Sequence, residues 1–240
     1  NSGGNQGIGF AIPVNLARNV MDQIIKSGKV TRGYMGAYLQ DVTPDLAQQF
    51  GAKDVNGAIV TKIEKGKPAD QAGLKIGDVV TGINGNSVSQ ANDLVISIIQ
   101  MNPGSVVHLD VLRNGKPLKI DVTLGARPAE KQEDSDFSSG GGSGSASTAL
   151  GGVSVETLTS DIAGQLNLPV GTKGVVVDSV DEDSPAAEVL TRGDVIEQVN
   201  RVPVANQQDY DRLVRQAKGE SILLLINRKG GNQFVVVPSK

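Results

Sequence analysis

An internal repeat constrains this chain more than any other feature of its sequence. Leu190–Asn200 aligns with Leu74–Asn84, so that the two Gly-Asp pairs coincide at an offset of 193 − 77 = 116. Further upstream, Gly174–Val177 matches Gly57–Val60 in the same order, and two single-residue insertions or deletions reconcile the small changes in offset. Each copy is long enough to build a core of its own. The sequence therefore predicts two similar domains.

The segment between the two copies lacks the apolar residues that a core requires. Residues 127–149 are rich in charge, Ser and Gly, and Ser138–Ser145 contains only Ser and Gly. Such composition is typical of flexible linkers. We therefore expect a flexible linker at 127–149 between a first repeat at 31–126 and a second at 150–240, and we expect the repeats to move independently.

Composition and local patterns predict an α+β fold that is mainly β. Hydrophobic residues make up 38% of the chain but aromatic residues only 3%, so the cores must be aliphatic, which favours strands. Asn84-Gly85 and Asn114-Gly115 are strong hairpin signals. Within each repeat we expect two helices, the longer one in the first repeat covering Asn92–Met101, where apolar residues recur at helical spacing.

The first residues predict a strand followed by an amphipathic helix. Gly4–Pro13 reads as a loop and a short strand that Pro13 ends. Asn15 is a suitable N-cap for the following helix and Gly28 a suitable C-cap. The apolar face of this helix needs a partner, so we expect it to fold onto a repeat or to drive self-association; its members are Val20, Met21, Ile24 and Ile25.

Charge and composition argue against several classes of function. With 23 basic and 26 acidic residues the formal charge is -3 and no basic block is present, so neither nucleic acid nor an anionic membrane is an expected partner. The absence of cysteine excludes disulfides and thiol nucleophiles. No apolar run reaches the roughly 20 residues that span a bilayer, and the first residues lack a signal-peptide pattern. We expect a soluble internal segment without membrane insertion, metal or cofactor.

A glycine-containing turn is the strongest candidate for a binding site. In Arg32–Leu39, Gly36 stands between Met35 and Ala37, where successive backbone N–H groups can converge on a carboxylate. Arg32 could add a charge-assisted contact. If the following strand is a sheet edge, it can pair with a peptide, and Met35 and Ala37 would wall an apolar pocket. An ordinary glycine turn is the alternative explanation.

The order of these features resembles a known domain. Each repeat has a glycine loop, a strand, a short helix, a Gly-Asp-Val turn and a second helix before a closing hairpin, which resembles a PDZ domain. The order is similar to the circularly permuted PDZ form of bacterial HtrA (Do-like, Deg) serine proteases. Gly7–Pro13, the helix and Arg32-Gly33 resemble the end of the HtrA protease domain. The resemblance implies two partly open β-barrels after a remnant of a protease domain at 1–30.

The resemblance also implies which residues bind peptide. The carboxylate of a peptide would be held in the first repeat by Arg32, Met35, Gly36 and Ala37. Further along the first groove, the peptide would meet Tyr38, Leu39, Val95 and Ile99. The corresponding loop of the second repeat is Gly151, Gly152 and Val153. Many PDZ domains begin the groove helix with a histidine that selects Ser or Thr, whereas Ala91-Asn92-Asp93 stand here, so a preference for apolar C-terminal residues is expected.

The function that the resemblance implies is that of a peptide-binding regulatory module. It would belong to a periplasmic HtrA-type serine endopeptidase and chaperone, and would bind C-terminal or unfolded segments of substrate proteins by strand addition. The parent protein would degrade misfolded proteins. The alternative is a mainly structural module that assembles a homo-oligomeric cage.

Catalysis by this segment itself is not expected. Ser2 lies in an Asn-Ser-Gly-Gly sequence like that around a serine nucleophile, but only three residues separate Gly3 from Gly7, which leaves no room for the strands that such a fold requires. The one histidine, His108, is expected on a strand, pointing away from the core. No Ser-His-Asp constellation can therefore form.

Overall fold

A computed structural model of the chain describes residues 14–28, 30–127, 147–169, 171–217 and 220–238. The strand expected within Gly4–Pro13 and most of the expected linker lie outside these residues. Helix α1 spans Val14–Ser27 and ends at Gly28, which has a positive φ of 70° and donates to the carbonyl of Ile24 at 2.9 Å. The C-cap prediction is thus confirmed, whereas Asn15 lies inside the helix and is not its N-cap.

The first repeat is an antiparallel sheet with helices at its edges. The strand order is β2-β3-β4-β6-β7, with β5 paired to β4 and β1 paired to β8, so β2 and β7 stand at opposite ends and the sheet is open. The elements are β1 (Gly33–Tyr34), β2 (Ala37–Asp41), α2 (Pro44–Phe50), β3 (Ala58–Ile63), α3 (Pro68–Gln71), β4 (Val79–Ile83), β5 (Asn86–Ser87), α4 (Ala91–Ile99), β6 (Val106–Arg113), β7 (Lys116–Thr123) and β8 (Gly125–Ala126).

The second repeat has the same order with one additional strand. Its sheet runs β15-β14-β12-β11-β10-β9, and β13 pairs with β12. The linker was expected to continue through Ala149, but β9 already begins at Ser147. The elements are β9 (Ser147–Leu150), β10 (Val153–Thr157), α5 (Ser160–Gln165), β11 (Val175–Val180), a short 3-10 helix (Pro185–Glu188), β12 (Val195–Val199), β13 (Val202–Pro203), α6 (Gln207–Gln216), β14 (Ile222–Arg228) and β15 (Gly231–Val237).

The expected fold class is confirmed. Both repeats are antiparallel sheets with helices, and strands predominate. Each repeat has two α-helices of six or more residues, α2 and α4 in the first and α5 and α6 in the second, together with one helix of four residues.

The repeated Gly-Asp motif marks a buried ion pair in each repeat. The carboxylate of Asp78, whose side chain is 1% exposed, accepts from Arg113 Nε at 2.7 Å and from Nη2 at 2.6 Å. Asp194 accepts from Arg228 at the same two distances and is equally buried. Each Asp also accepts a backbone N–H three residues before it, at 2.8 Å. The motif therefore fixes the turn that leads into β4 or β12.

A third core lies between the two repeats. Phe50 and Phe234 meet edge to face, with ring centroids 5.0 Å apart and an interplanar angle of 74°. The guanidinium of Arg201 lies 4.5 Å from the centre of the Phe50 ring and donates to the carbonyl of Gln49 at 2.6 Å. The buried members of this interface core are Val42, Leu46, Ala47, Phe50, Ile59, Val79, Leu223, Leu225 and Phe234.

The interface core contradicts the expectation that the repeats move independently. That expectation rested on the composition of residues 127–149 alone. Burial of apolar surface from both repeats, about 25 cal/mol for each Å², favours one docked arrangement whatever the stiffness of the connection. The two repeats therefore form one packed unit.

The apolar face of α1 is largely exposed, although Val20 is half-buried. Met21 and Ile24 are each 51% exposed and Ile25 is 75% exposed. The expectation that this face folds onto a repeat is therefore wrong for the described part of the chain, and self-association remains a prediction. The same part of the chain contains no helix long and apolar enough to cross a membrane.

Candidate peptide-binding site

The loop before β2 turns its carbonyl groups into the domain. Gly36 has a φ of 77°, a left-handed conformation that favours glycine. The carbonyl of Met35 accepts from the N–H of Ala69 and that of Gly36 from the N–H of Glu64, each at 2.8 Å. Among the described residues, no backbone carbonyl accepts from the N–H groups of Met35 and Gly36. These two donors are available to a ligand.

The N–H of Ala37 adds a third donor at the sheet edge. Ala37 lies opposite Ile63 in the antiparallel β2–β3 ladder. Because Glu64 donates to Gly36, the Ala37–Ile63 pair is a non-hydrogen-bonded pair, whose own N–H and C=O groups point away from the partner strand. The pairing of β2 with β3 shifts in register between Tyr38 and Leu39, and the extra residue lies on β3. The backbone N–H and C=O groups of Leu39 therefore point in the same direction as those of Ala37. Since β2 is the last strand of its sheet, this edge can accept another strand.

The end of β2 is tied to the start of α4, which forms the other wall of the groove. Asp41 Oδ1 accepts from the N–H of Ala91 at 2.7 Å. The second repeat has the same link at equivalent positions, where Thr157 Oγ1 accepts from the N–H of Gln207 at 3.1 Å. A strand-to-helix hydrogen bond therefore fixes the width of each groove at this end. The sequence did not predict this bond, because its two partners lie 50 residues apart.

Helix α4 presents the residues that the sequence assigned to it. Leu94 and Ile98 are buried in the core of the first repeat. Val95 is 41% exposed and Ile99 is half-buried, so both can contact a ligand. Leu39 is half-buried against the core from the strand side. Val95 and Ile99 thus remain candidates for the groove wall.

Two site residues differ in detail from the prediction. Met35 is only 3% exposed and belongs to the core, so it offers its backbone to a ligand and its side chain does not form an open pocket wall. Lys67 packs directly beneath Gly36, where a Cβ on residue 36 would collide with its side chain. Sequence reasoning missed Lys67, although it lies in the loop that immediately precedes a predicted helix.

A carboxylate and two phenols lie beside the loop. Glu64 Oε1 accepts from the hydroxyl of Tyr34 at 2.6 Å and from that of Tyr38 at 3.3 Å. Burial and then Glu64 raise the pKa of both tyrosines, so both phenols stay protonated as donors. The carboxylate of Glu64 is therefore hydrogen-bonded to both phenols. Lys62 lies 5.2 Å from the centre of the Tyr38 ring, and Arg32 is exposed at the start of the loop.

The loop of the second repeat is already part of a hairpin. Gly151 and Gly152 form the turn between β9 and β10, with Leu150 opposite Val153. The carbonyl of Gly152 accepts from the N–H of Asp181 at 2.7 Å, as Gly36 accepts from Glu64 in the first repeat. Because β9 pairs along β10, Gly151, Gly152 and Val153 are not at an open edge. Their role in carboxylate binding remains a prediction that requires β9 to leave.

The sole histidine lies on the sheet surface, away from this site. His108 is on β6 and its Nδ1 lies 2.7 Å from Asp121 Oδ1, with both side chains about two-thirds exposed, at 66% and 65%. Within the described residues, no group of three or more His, Cys, Asp or Glu side chains could hold a metal ion.

The family comparisons agree with the fold. Models of the PDZ domain match residues 33–124 and 176–228. The chain is therefore a tandem PDZ protein. Over nearly its whole length it is also homologous to DegP-like serine endoproteases.

The individual relatives carry the same family name. A protein of Chlamydia muridarum and one of Brucella suis, each named "Probable periplasmic serine endoprotease DegP-like", are 38% and 39% identical over 99% of this chain. They are matched over 46% and 45% of their own lengths, so the chain spans about half of each. A solved structure titled "HtrA-type protease AlgW with decapeptide" is 37% identical, with a TM-score of 0.46 over 54% of this chain and 40% of that one.

Proposed function

We propose that this chain is the peptide-binding regulatory module of an HtrA-type serine endopeptidase and chaperone. Its first repeat captures C-terminal or unfolded segments of other proteins by strand addition along β2. The observation that carries the proposal is that the N–H groups of Met35, Gly36 and Ala37, at the start of an open sheet edge, donate to no backbone carbonyl among the described residues. The chain contributes recognition, while proteolysis belongs to a catalytic domain outside the two PDZ domains.

Each residue of the first groove has a defined part in this proposal. The three N–H groups hold the terminal carboxylate, and Arg32 adds an exposed charge at the entrance. The backbone of Ala37, Tyr38 and Leu39 offers the edge for strand pairing. Val95 and Ile99 of α4 cover the apolar side chains of the peptide. We further propose that the parent protein is a periplasmic endoprotease, as the names of the relatives indicate, and that it degrades misfolded proteins.

A titration with matched peptides tests the proposal. The probe is a fluorescein-labelled decapeptide that ends in Ala-Leu, prepared with a free or an amidated C-terminus. Charge-assisted hydrogen bonds are roughly twice as strong as neutral ones, so amidation is expected to weaken binding by about tenfold or more. Arg32→Ala is expected to cost less, about 1 kcal/mol or below, because the side chain is exposed. Equal binding of free and amidated probes would refute carboxylate capture.

Two glycine variants distinguish a specific effect on the binding loop from a general effect of backbone strain. Gly36 and Gly85 both have left-handed φ values, 77° and 81°, but a Cβ would meet Lys67 at position 36 and open space at position 85. Gly36→Ala is therefore expected to abolish most binding of the free probe, while Gly85→Ala leaves the affinity unchanged. A similar loss in both variants would point to destabilisation of the domain.

An assembly role is the second candidate, favoured by the exposed apolar face of α1. Met21, Ile24 and Ile25 together form an exposed apolar surface that self-association would cover. Sedimentation of the chain and of an Ile24→Lys, Ile25→Lys variant distinguishes the two candidates, because peptide capture does not require this face.

A further inference from the structure

The second repeat already contains a strand in the groove where a peptide would lie in the first. β9 runs antiparallel to β10, with Leu150 opposite Val153 and Ser147 opposite Val155. On its other side β9 packs against α6, the counterpart of α4. In the first repeat the same edge of β2 has no partner among the described residues. Residues 147–150 therefore take the place of a ligand.

Leu150 occupies the position of a peptide's last residue. Val153 corresponds to Ala37 at the offset of 153 − 37 = 116, so the residue opposite it is the one nearest the glycine loop. Leu150 is 8% exposed and is packed into the core of the second repeat together with Tyr210 and Val214. The apolar pocket of this groove is thus filled from within the chain.

Few interactions keep β9 in the groove. It has four residues, and its pairing with β10 is irregular between Val153 and Val155. Its other three residues, Ser147, Thr148 and Ala149, are small, so Leu150 is its one large apolar residue. A short edge strand with a single apolar anchor belongs to the elements that open most readily. Such a strand can exchange with another of similar sequence.

We infer that Ser147–Leu150 is a built-in strand ligand of the second repeat, and that this groove binds an external peptide only by displacing it. The ligand class follows from the occupant: an extended segment of small residues that ends in an aliphatic side chain. The inference concerns the second groove alone and does not depend on peptide binding by the first.

A trans-binding experiment tests the displacement. The probe is the fluorescein-labelled peptide GGSGSASTAL with a free C-terminus, which reproduces residues 141–150. All proteins carry Gly36→Val, so that the loop of the first repeat contributes nothing. Leu150→Ser weakens the internal occupant, whereas Leu168→Ser removes a leucine of similar burial, 9% exposed, from the separate cluster beneath α5.

The two variants have different expected outcomes. Apparent affinity falls in proportion to the fraction of open grooves, so Leu150→Ser should bind the probe about tenfold or more tightly than its parent. Leu168→Ser should bind like the parent. Unchanged binding by Leu150→Ser, or an equal gain in both variants, would overturn the inference.

Amide hydrogen exchange on the unmodified chain gives a second test that needs no variant to fold. A saturating excess of the probe should accelerate exchange in residues 147–150, because they leave the groove, while residues 153–157 stay protected by the incoming strand. If exchange at 147–150 does not accelerate, the inference is wrong.

Discussion

The side-chain amide of Gln40 forms two hydrogen bonds with the backbone of Phe234, donating to its carbonyl at 2.9 Å and accepting from its N–H at 2.8 Å. Gln40 lies on β2, whose edge facing away from β3 is unpaired among the described residues. Phe234 lies on β15 of the second repeat. The strand that we propose binds peptide in the first repeat is therefore hydrogen-bonded directly to the sheet of the second.

Phe234→Ala should separate the repeats. The substitution removes the ring that meets Phe50 and leaves a cavity in the interface core, for which Phe→Ala changes typically cost about 3–5 kcal/mol. We expect lower stability in chemical unfolding and a larger radius of gyration in small-angle scattering. Leu118→Ala, on the exposed face of β7, is the control. An unchanged radius of gyration would mean that the interface core is dispensable for docking.

Asp78→Asn should strongly destabilise the first repeat. It leaves Arg113 without its buried partner, and breaking one side of such a pair typically costs about 3–5 kcal/mol. Asp110→Asn is the matched control, because its contact with Lys119 at 3.5 Å is largely exposed and should contribute less than about 1 kcal/mol. Urea unfolding of both variants makes the comparison; equal losses would show that the turn does not depend on the buried pair.

Glu197→Gln should change the pH dependence of stability. Burial raises the pKa of Glu197, against the lowering effect of hydrogen bonds from Asn227 and Asn232 and of the charge on Lys62. A raised pKa means that the folded chain binds this proton more tightly, so the contribution to stability is present at low pH and is lost as pH rises through the folded-state value.

The stability difference between Glu197→Gln and the unmodified chain should therefore shift in favour of the variant between about pH 3, below the ordinary Glu pKa, and pH 7. Thermal or urea unfolding at several pH values measures this difference. A difference that stays constant over the whole range would mean that Glu197 does not titrate abnormally.

Tyr210→Phe should be neutral or stabilising. Tyr210 lies on α6, and its hydroxyl is fully buried. This hydroxyl has no hydrogen-bond partner among the described residues. An unsatisfied buried polar group costs about 1–3 kcal/mol, so its removal should raise the free energy of unfolding by about 1 kcal/mol. Urea unfolding tests this, and a loss of stability would reveal a partner such as a buried water.

The sequence was sufficient for the elements that depend on local patterns. Asn84 and Asn114 have positive φ values in the hairpin turns predicted from Asn-Gly. Helix α4 was predicted from apolar residues at helical spacing, and two of these, Leu94 and Ile98, form its core face. The sequence was not sufficient for contacts between the repeats, because Phe50 and Phe234 read as ordinary core positions. One signal was present: Ile222–Ile226 is a continuous apolar run, which is typical of a strand buried on both faces.

The candidate site was only partly predictable for the same reason. The glycine loop is a local signal, whereas the support of Gly36 by Lys67 and the bond from Ala91 to Asp41 depend on tertiary folding. Ser147–Ala149 was assigned to the linker because its small residues continue a Ser/Gly-rich composition. Only the sheet edge provided by β10 makes a strand of it.

The turn Gly151-Gly152 acts as a tether of two residues, and this decides how β9 competes with other strands. A segment held by so short a connection has an effective local concentration on the order of millimolar or more. A free peptide at micromolar concentration competes poorly with it, even when its intrinsic affinity is the same. Because the tether lies on the C-terminal side of β9, cleavage within residues 128–146 would leave the occupant attached to its groove.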